Sequence, residues 1–448
     1  MCEDGNKYSM STTIPPKVEG QPLLGSLIPF LRRPFEFREK CTAEHESILR
    51  IDVGPKELYL VTDPEDIEEI FITKSDSFQK PELMRERLGD AFGNGLLLSG
   101  GEIWDAQREL AQPEFEASRI GEYIDQMGTI AHGVVSNWDN KNYDMRAEME
   151  RITIPILVEC LFGTENVEYV QRIAEGAEAL TMKYKPTSLS FYLPDWVPTP
   201  INMRYHRGLK LLDNTVDDIL TERNRGVNRD DLLSVLLKAA NEDRYIDRKL
   251  IRDEMITIMT GGSGPPAFAL AYTLFLLAHH PRQYEQLQAE ADAVLDGANP
   301  TISDMAELTH TEHVYKESLR LYPPVWTIGR ESAESVTIGG YHIPKGTSMV
   351  ITSWATHRDE RFFEKPKVFD PGRWDQDQNR PQFAYFPFGG GPRICIGKRF
   401  ALTEAKVVLS LIASKYDIEP AHTESLDHRV STHISPKNAE IRVQPRQD

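Results

Sequence analysis

The segment FPFGGGPRICIG, residues 386–397, is the most informative stretch of the chain. Three consecutive glycines precede Cys395, and a helical pattern starts at Lys398, directly after Gly397. Glycines let backbone N–H groups come close to a sulfur atom, because they carry no side-chain bulk. A helix N-terminus after the cysteine also favours the anionic thiolate. The segment therefore predicts a cysteine thiolate that binds a metal centre at the start of a helix.

Other interpretations of the cysteines and of a histidine motif are weaker. A phosphate-binding loop is excluded, because Pro392 stands at the first glycine position and Arg399 at the final hydroxyl position. An ordinary buried cysteine in a turn is the remaining alternative for the segment. Cys2, Cys41 and Cys160 are irregularly spaced and predict neither a disulfide framework nor a paired-cysteine zinc site. The motif HTEH, residues 310–313, is typical of a polar helix start rather than of a metal site.

Composition and charge exclude several classes of protein. The chain has 448 residues, of which 40% are hydrophobic, so it can bury a substantial core. Its formal net charge of −18 argues against nucleic acid as a partner. No run reaches the roughly 18 consecutive apolar residues of a membrane span, and the N-terminus lacks the pattern of a secretion signal. We expect a cytoplasmic protein.

The chain is predicted to be mainly α with small β-sheets. Residues 1–12 are polar and predicted to be a disordered tail, and residues 13–448 lack a linker that would divide them, which predicts a single domain. The alternating runs SILRIDVG and ELYLVTD predict early strands. Helical patterns dominate from Trp104 to about Leu295, short strands follow Gly329, and the last helix is predicted from Lys398 to Tyr416.

The cysteine segment resembles the haem-binding signature of cytochromes P450. The residues Phe388, Gly391, Arg393, Cys395 and Gly397 stand at the spacings of that signature. The resemblance implies the cytochrome P450 fold, a triangular helical prism with haem b between a long distal helix and the helix after the cysteine loop. It also implies that Cys395 is the axial ligand of the haem iron, where a thiolate favours O–O cleavage.

Further motifs extend the resemblance over nearly the whole chain. It implies that hydrogen bonds to the two haem carboxylates come from Trp104 and Arg108 in GEIWDAQREL, from Arg330 in YPPVWTIGR, and from Arg393. Guanidinium groups suit that task, because they are rigid and always charged. His357 in THRDERFF also matches the family pattern and is expected to contact the haem.

A charge network is predicted beside the cysteine loop. Glu317 and Arg320 in YKESLRLYPP lie three residues apart, so a helix places them on one face. Such a pair alone is typical of a solvated surface. The resemblance implies that Arg373 in VFDPGRW completes a buried network. Gly372 stands where the family usually has glutamate.

The predicted distal helix departs from the family pattern. In MTGGSGPPAF, Gly264 and Pro265 stand where the family commonly has an acid and a threonine that deliver protons to dioxygen. Pro265 and Pro266 predict a kink that frees two backbone carbonyls, those of Gly261 and Gly262.

Freed carbonyls need water or a hydroxyl group as a partner, and such water can carry protons. Ser263 is the first candidate for ordering that water, and Thr260 is the second. Two alternatives stay open. Ser263 could only relieve crowding beside the haem, or a donor on the substrate could do the work.

The resemblance implies an oxidoreductase, namely an oxygen-dependent monooxygenase that acts on a small hydrophobic substrate. Electrons would come from a separate ferredoxin or flavodoxin that docks near Lys398 and Arg399, and apolar residues from Leu83 to Leu98 would contact the substrate.

Pro265 also matches peroxide-using fatty-acid P450s, although Gly264 replaces the arginine that these have. A peroxygenase, a P450-type isomerase or dehydratase, and a non-catalytic haem sensor remain as alternatives.

Overall fold

The computed structural model describes residues 13–45, 47–185, 193–225, 229–242, 246–375, 379–422 and 426–446. The α-helices are α1 (Leu27–Arg32), α2 (Pro34–Glu44), α3 (Pro64–Glu68), α4 (Glu82–Phe92), α5 (Gly101–Ala111), α6 (Ala117–Val135), α7 (Met145–Phe162), α8 (Val167–Lys183), α9 (Pro200–Arg223), α10 (Leu232–Glu242), α11 (Arg248–His279), α12 (Pro281–Leu295), α13 (Thr309–Leu321), α14 (Ser353–Thr356) and α15 (Lys398–Lys415).

Strands and short helical turns connect these helices. The strands are β1 (Leu49–Val53), β2 (Lys56–Val61), β3 (Phe78–Gln79), β4 (Lys141–Asp144), β5 (Ile328–Ser332), β6 (Val336–Ile338), β7 (Tyr341–Ile343), β8 (Ser348–Ile351), β9 (Tyr416–Pro420), β10 (His428–Val430), β11 (Ile434–Pro436) and β12 (Glu440–Pro445). One π-helical turn covers Glu69–Thr73, and the 3₁₀ turns are Ser75–Ser77, Gln112–Phe115, Asp304–Ala306, Pro371–Trp374, Gln382–Ala384 and Gly391–Arg393.

The described residues form two compact units, each built from separate stretches of the chain. The smaller unit contains residues 13–82, Thr327–Glu364 and Arg380–Arg393, and the larger unit contains the other described residues. The mainly α fold with small sheets is confirmed, and β1 and β2 confirm the two predicted early strands. The single domain stays a prediction, and the predicted tail, residues 1–12, lies outside the described residues.

A five-stranded sheet organises the smaller unit. Its strand order is β1-β2-β8-β5-β3, and β6 pairs with β7 in a separate two-stranded sheet. Strands β1 and β2 pair antiparallel with Leu49 opposite Leu60, whereas β2 and β8 are parallel. Aliphatic and aromatic side chains bury the sheet on both faces, among them Ile51, Leu60, Phe71 and Ile351. This burial holds the backbone on which Arg330 of β5 lies.

The long helix α11 is central to the larger unit. Asp247 caps its N-terminus by accepting a hydrogen bond from the Leu250 N–H at 2.8 Å. Every residue from Ala267 to Ala278 is buried, as expected for a helix that is apolar on all sides. The helix packs along α7 and continues without interruption through Pro265 and Pro266. The helix begins at Arg248.

Two small sheets complete the larger unit. Strands β4, β12 and β9 form an antiparallel sheet, and β10 pairs with β11. Helix α15 follows the cysteine loop and packs on α6 and α12, with its residues from Val407 to Ala413 buried. The position of Cys395 is therefore fixed on its C-terminal side by a helix that is held in the core of its unit. Among the described residues, no helix is both long and apolar enough to cross a membrane.

Candidate haem-thiolate site

The glycines of the cysteine loop are packed so closely against neighbouring atoms that side chains would not fit. Gly389 and Gly391 have φ angles of +72° and +68°, which lie in the left-handed region. A Cβ atom on Gly391 would lie 1.7 Å from the carbonyl oxygen of Phe71, and one on Gly390 would lie 2.2 Å from the ring of Phe383. The glycine run is therefore required by close packing as well as by backbone conformation.

Cys395 combines a buried thiol with accessible surface. The pKa of the Cys395 thiol is raised, chiefly by desolvation, while the Gly397 N–H and the positive charges of Arg108 and Lys398 oppose that shift. The residue nevertheless stays exposed. The donor set around it favours an anion, so the surroundings fit an anionic thiolate that binds a metal of a bound cofactor.

Arg108 reaches the cysteine loop from helix α5. Its Nη1 donates to the carbonyl oxygen of Ile394, next to Cys395, at 3.0 Å, and its Nε donates to Gln112 Oε1 at 2.8 Å. Desolvation lowers the pKa of the Arg108 guanidinium, and the Cys395 side chain opposes that shift. Trp104 lies one helical turn earlier on α5 and is half-buried. Helix α5 therefore places the Arg108 cation next to the cysteine loop.

Arg330 is a buried cation in the smaller unit. Its side chain is 6% exposed, its Nη1 donates to the carbonyl oxygen of Gly329 at 3.0 Å, and its guanidinium lies over the ring of Phe71. Burial and the nearby charge of Arg393 lower the pKa of Arg330 to about 10. Within the described chain, Arg330 makes no salt bridge. Two neighbouring guanidinium groups without a carboxylate on Arg330 fit an anionic ligand such as a haem propionate.

His357 and Phe388 belong to the same unit as Arg330. The His357 side chain is fully buried, and its Nε2 accepts a hydrogen bond from the Phe386 N–H at 2.9 Å. The ring also lies edge-on to Phe386. Phe388, two residues later, is half-buried. The structure thus gives His357 a role in holding the start of the cysteine loop, and its contact with haem stays a prediction.

The charge network predicted around Glu317 is buried in the larger unit. The side chains of Glu317 and Arg320 are fully buried, and Arg373 is nearly so. Arg320 donates to Glu317 through Nε at 2.9 Å and Nη2 at 2.8 Å, and Arg373 Nε donates to Glu317 Oε1 at 2.9 Å. Arg320 also donates to the carbonyl oxygens of Pro366 and Val368. The network therefore fastens residues 366–374 to helix α13.

Two donors to Glu317 were missed from the sequence. The Trp374 indole N–H donates to Glu317 Oε2 at 3.0 Å, and the Asp370 backbone N–H donates to Oε1 at 3.1 Å. The tryptophan directly after Arg373 in VFDPGRW was the available signal. Gly372 leaves the network without a side chain at the position of the family's glutamate, and its N–H donates to Asp370 Oδ1 at 3.1 Å.

The middle of α11 has an open side and a packed side. Gly261 is exposed, and a Cβ atom there would meet no atom within 4 Å. A Cβ atom on Gly262 would lie 2.6 Å from the Leu157 side chain of α7. Because prolines have no N–H, Pro265 and Pro266 cannot donate to the carbonyls four residues before them, which are those of Gly261 and Gly262. The exposed side of this segment therefore presents backbone acceptors that lack their helical partner.

The hydroxyl groups predicted to order water donate to backbone carbonyl oxygens instead. Ser263 is buried and its Oγ donates to the carbonyl oxygen of Thr260 at 3.4 Å, while the Thr260 hydroxyl donates to the carbonyl oxygen of Ile256 at 2.7 Å. The Ser263 carbonyl oxygen accepts from the Thr153 hydroxyl of α7 at 3.4 Å. Ser263 therefore lies on the packed side, and its proton-delivery role stays a prediction. Gly264 packs next to the Phe268 ring.

The remaining cysteines and the HTEH motif do not form a second metal site in the described part of the chain. Cys41 and Cys160 are buried, and Cys2 lies outside the described residues. His310 interacts with the carbonyl oxygen of Gln283, and His313 lies 3.0 Å from Asp375 Oδ1. Across the described ranges, no cluster of three or more histidine, cysteine or acidic side chains is arranged to hold a metal ion.

Comparisons with known proteins identify the family of the chain. The family model "Cytochrome P450" matches residues 15–443. The chain is 32% identical to cyclooctat-9-en-7-ol 5-monooxygenase of Streptomyces melanosporofaciens, over 89% of this chain and 88% of that protein. It is 31% identical to pentalenene oxygenase of Streptomyces avermitilis, over 89% of each chain. Cyclooctatin synthase of Streptomyces melanosporofaciens is 30% identical over 90% of this chain and 89% of that protein.

Proposed function

Because the chain belongs to the cytochrome P450 family and is a monooxygenase with a haem-thiolate cofactor, we propose that it hydroxylates a small apolar terpene. Two of the relatives described above support this substrate class, since they are named after the oxidation of cyclooctat-9-en-7-ol and of pentalenene. The expected reaction consumes one O₂, two electrons and two protons, and yields the alcohol and water. A separate electron donor supplies the electrons.

One observation carries the proposal, and it is the environment of Cys395. Its thiol lies among protein atoms, keeps accessible surface, and is exposed to the positive charges of Arg108 and Lys398. These are the conditions under which a cysteine ligates iron as a thiolate. When bound at Cys395, a haem iron supplies activation of dioxygen and insertion of one oxygen atom into a C–H bond.

The cationic side chains would hold the carboxylates of haem b. We expect Trp104 and Arg108 in the larger unit, and Arg330 and Arg393 in the smaller unit, to donate hydrogen bonds to these carboxylates. The low pKa of Arg330 supports this role, because an anionic partner would offset both its burial and its repulsion from Arg393. His357 would affect haem binding indirectly, because it holds the backbone of the cysteine loop at Phe386.

Proton supply has to differ from that of relatives with an acid and a threonine in the distal helix. In this chain the exposed side of α11 at Gly261 offers a backbone acceptor without its helical donor, next to open space. Water bound to the carbonyls of Gly261 and Gly262 would provide protons there. Ser263 and Thr260 would support that water only if their hydroxyl groups turned away from the carbonyls that they bond.

The electron donor is expected to be an acidic protein of the ferredoxin or flavodoxin type. Lys398 and Arg399 are exposed at the start of α15, three and four residues after Cys395. They form a local positive patch on a chain whose formal net charge is −18. Such a patch steers an acidic partner toward the cysteine loop.

A peroxide-dependent peroxygenase is the second candidate. Gly264 and Pro265 remove the acid and the alcohol that oxygen-dependent relatives use, and this specific feature favours an oxidant that already carries two electrons and two protons. Hydrogen peroxide meets that requirement, because its oxygen needs no separate electron donor.

The test compares product formation from a panel of cyclic terpenes under two conditions. One contains a surrogate ferredoxin, its reductase, NADPH and O₂, and the other contains hydrogen peroxide without reductant. Product that requires reductant and O₂ supports the proposal, whereas product that forms with peroxide and not with reductant and O₂ overturns it in favour of a peroxygenase. The control is Cys395→Ala, which is expected to lose both the thiolate-haem absorption spectrum and turnover. A retained thiolate spectrum would contradict the assignment of Cys395.

A further inference from the structure

Three consecutive residues at the start of α11, Arg252–Glu254, clamp the loop between α4 and α5. The three side chains bond the loop backbone from Ala91 to Leu96. The hydrogen bonds are Arg252 Nη1 to the Ala91 carbonyl (2.8 Å), the Asn94 N–H to Asp253 Oδ2 (2.9 Å), and the Leu96 N–H to Glu254 Oε2 (3.2 Å). The loop is thus fastened at three points to one turn of the helix that continues to Gly261.

The loop sequence GNG, residues 93–95, allows this close approach. A Cβ atom on Gly93 would lie 1.9 Å from Asp253 Oδ2, and Gly93 has a φ of +48°. A Cβ atom on Gly95 would lie 2.2 Å from the Thr257 hydroxyl oxygen. Any side chain at either position would push the loop away from α11. The glycines therefore let the loop cover Glu254, which is only 5% exposed.

Gln107 of α5 holds the loop from its other side. Its Nε2 donates to the Asn94 carbonyl oxygen at 2.7 Å, and its Oε1 accepts from the Ser99 hydroxyl at 2.5 Å. Gln107 is buried, and its amide lowers the pKa of the Glu254 carboxyl group. Because Gln107 lies next to Arg108 on α5, the loop, Arg108 and the distal helix are connected within the larger unit.

Glu254 is the ionisable group at the centre of this contact. Its pKa is raised to about 7, chiefly by desolvation and also by the Asp253 charge, against the opposing effects of the Leu96 N–H and the Gln107 amide. The Arg252 guanidinium is engaged by Asp253 and by Asp213 of α9. Within the described chain, Glu254 Oε1 has no hydrogen-bond partner. The carboxyl group is therefore accommodated best in its neutral form.

We infer that Glu254 is a positioning residue for substrate binding: its neutral carboxyl group keeps residues 93–99 closed over the start of α11, and ionisation releases them. The loop carries the partly exposed Leu96 and Leu97, which belong to the stretch expected to contact substrate. The part of the inference that concerns substrate rests on the proposed function. The part that concerns the loop does not.

Linkage between proton binding and loop closure determines whether a rise in pH opens or closes the loop. The closed loop supplies both the burial that raises the pKa and the Leu96 N–H that lowers it, and burial is the larger effect. The closed form therefore binds the proton more tightly than an open form in which water solvates Glu254. Raising the pH through about 7 must then favour opening, because the ionised carboxylate gains solvation when the loop leaves.

Amide hydrogen exchange of residues 93–99 in the haem-loaded protein tests the loop directly. The intrinsic exchange rates are corrected for pH, so that the remaining change reports loop opening. Between pH 5 and pH 9 we expect protection to fall at least about tenfold and at most about 80-fold, the limit over this pH range for a pKa that returns from about 7 to its ordinary value of 4.5. A protection that does not depend on pH overturns the inference.

Two variants and one control separate ionisation from simple damage. Glu254→Gln keeps the shape of the neutral group and is expected to stay protected at every pH. Asp253→Asn removes a charge that raises the pKa of Glu254, so the midpoint of the transition should move to lower pH. The control is Glu404→Gln on α15, another buried glutamate whose pKa burial raises well above its usual value. It should keep the wild-type profile. The same pH profile in Glu254→Gln as in the wild type overturns the assignment to Glu254.

Ligand binding tests the consequence for the substrate site. The probe is phenylimidazole, which combines an iron-binding nitrogen with an apolar ring, and its dissociation constant is measured from the haem absorption spectrum. At pH 9 we expect the wild type to bind it several-fold more weakly than Glu254→Gln, and at pH 5 we expect equal affinities. Equal affinities at both pH values would overturn the substrate role. Failure of the proposed monooxygenase reaction leaves the exchange result unchanged, so the two failures are distinguishable.

Discussion

Replacing Glu317 by glutamine should destabilise the protein strongly, although the substitution hardly changes the volume of the side chain. The Glu317 carboxylate is fully buried and accepts five hydrogen bonds, two from Arg320 and one each from Arg373, Trp374 and the Asp370 N–H. Glutamine keeps the shape but removes the negative charge that faces two buried guanidinium groups. It also turns an N–H₂ group toward groups that can only donate.

The magnitude follows from the cost of an uncompensated buried charge. Removing one partner of a buried ion pair costs about 3–5 kcal/mol, against a total stability of about 5–15 kcal/mol for a typical domain. Because the network fastens residues 366–374 to α13, we expect Glu317→Gln to unfold at clearly lower urea concentration. We also expect it to lose haem earlier in the titration than the wild type does.

Urea titration followed by both tryptophan fluorescence and haem absorbance checks this expectation. The control is Glu312→Gln on the same helix, whose half-exposed carboxylate contacts Lys316 and Lys406. Such a pair contributes about 0–1 kcal/mol. Adding Arg373→Gln to Glu317→Gln should restore part of the lost stability, because one of the two buried positive charges that faced the Glu317 carboxylate is then removed as well. Equal midpoints for the substitutions at positions 312 and 317 would refute the reasoning.

Three further predictions follow from the site and from α11. Arg330→Gln should weaken haem binding about 10- to 150-fold, the worth of a charge-assisted hydrogen bond, as measured by the rate of haem transfer to an excess of a scavenging protein; an unchanged rate would exclude Arg330 as a haem ligand. Pro265→Ala should restore a helical donor to the Gly261 carbonyl and stabilise α11 by up to about 3 kcal/mol, but it should lower the product formed per NADPH consumed; unchanged coupling would argue against a proton-supplying role for that carbonyl. Finally, the folded-state pKa of Glu254, about 7, lies above its ordinary value of 4.5, so its contribution to stability is fully present below pH 4.5 and is lost as the pH rises through 7. Glu254→Gln should therefore flatten the pH dependence of unfolding in that window by about 3 kcal/mol or less, and a profile that keeps its full slope would contradict the assignment.

The cysteine loop could be predicted in detail because its information is local. Three glycines, Cys395 and a following helix stand within one short segment, and each glycine is required by its immediate packing or by its φ angle. The same holds for Glu317 and Arg320, since helical geometry places residues three apart on one face. The mainly α fold followed from the long helical patterns, and the early strands from alternating runs.

Contacts between residues far apart in sequence could not be predicted. The Leu96 N–H and Glu254 are separated by 158 positions, and neither RDE at the start of α11 nor GNG in the loop signals its partner. The side of α11 to which Ser263 turns was equally undetermined, because it depends on the packing of Leu157 and Thr153 of α7. A hydroxyl group in the right turn of a helix is therefore weak evidence for its role, whereas the absence of an N–H from Pro265 holds on any face.

The unbroken course of α11 through two prolines is explained by what holds its two ends. Proline within a helix costs about 3 kcal/mol for each residue, which is enough to end an isolated helix. Here the stretch Ala267–Ala278 is buried, and burial of each large apolar side chain contributes about 1.5–3 kcal/mol. At the other end, Arg252–Glu254 are bonded to the loop backbone. The two anchored ends impose helical geometry on GGSGPP, so that the lost hydrogen bonds remain as open acceptors at Gly261 and Gly262 instead of being removed by a local rearrangement. A segment whose own preference is overridden in this way is where function is expected, and it lies between the anchored loop and the buried half of the helix.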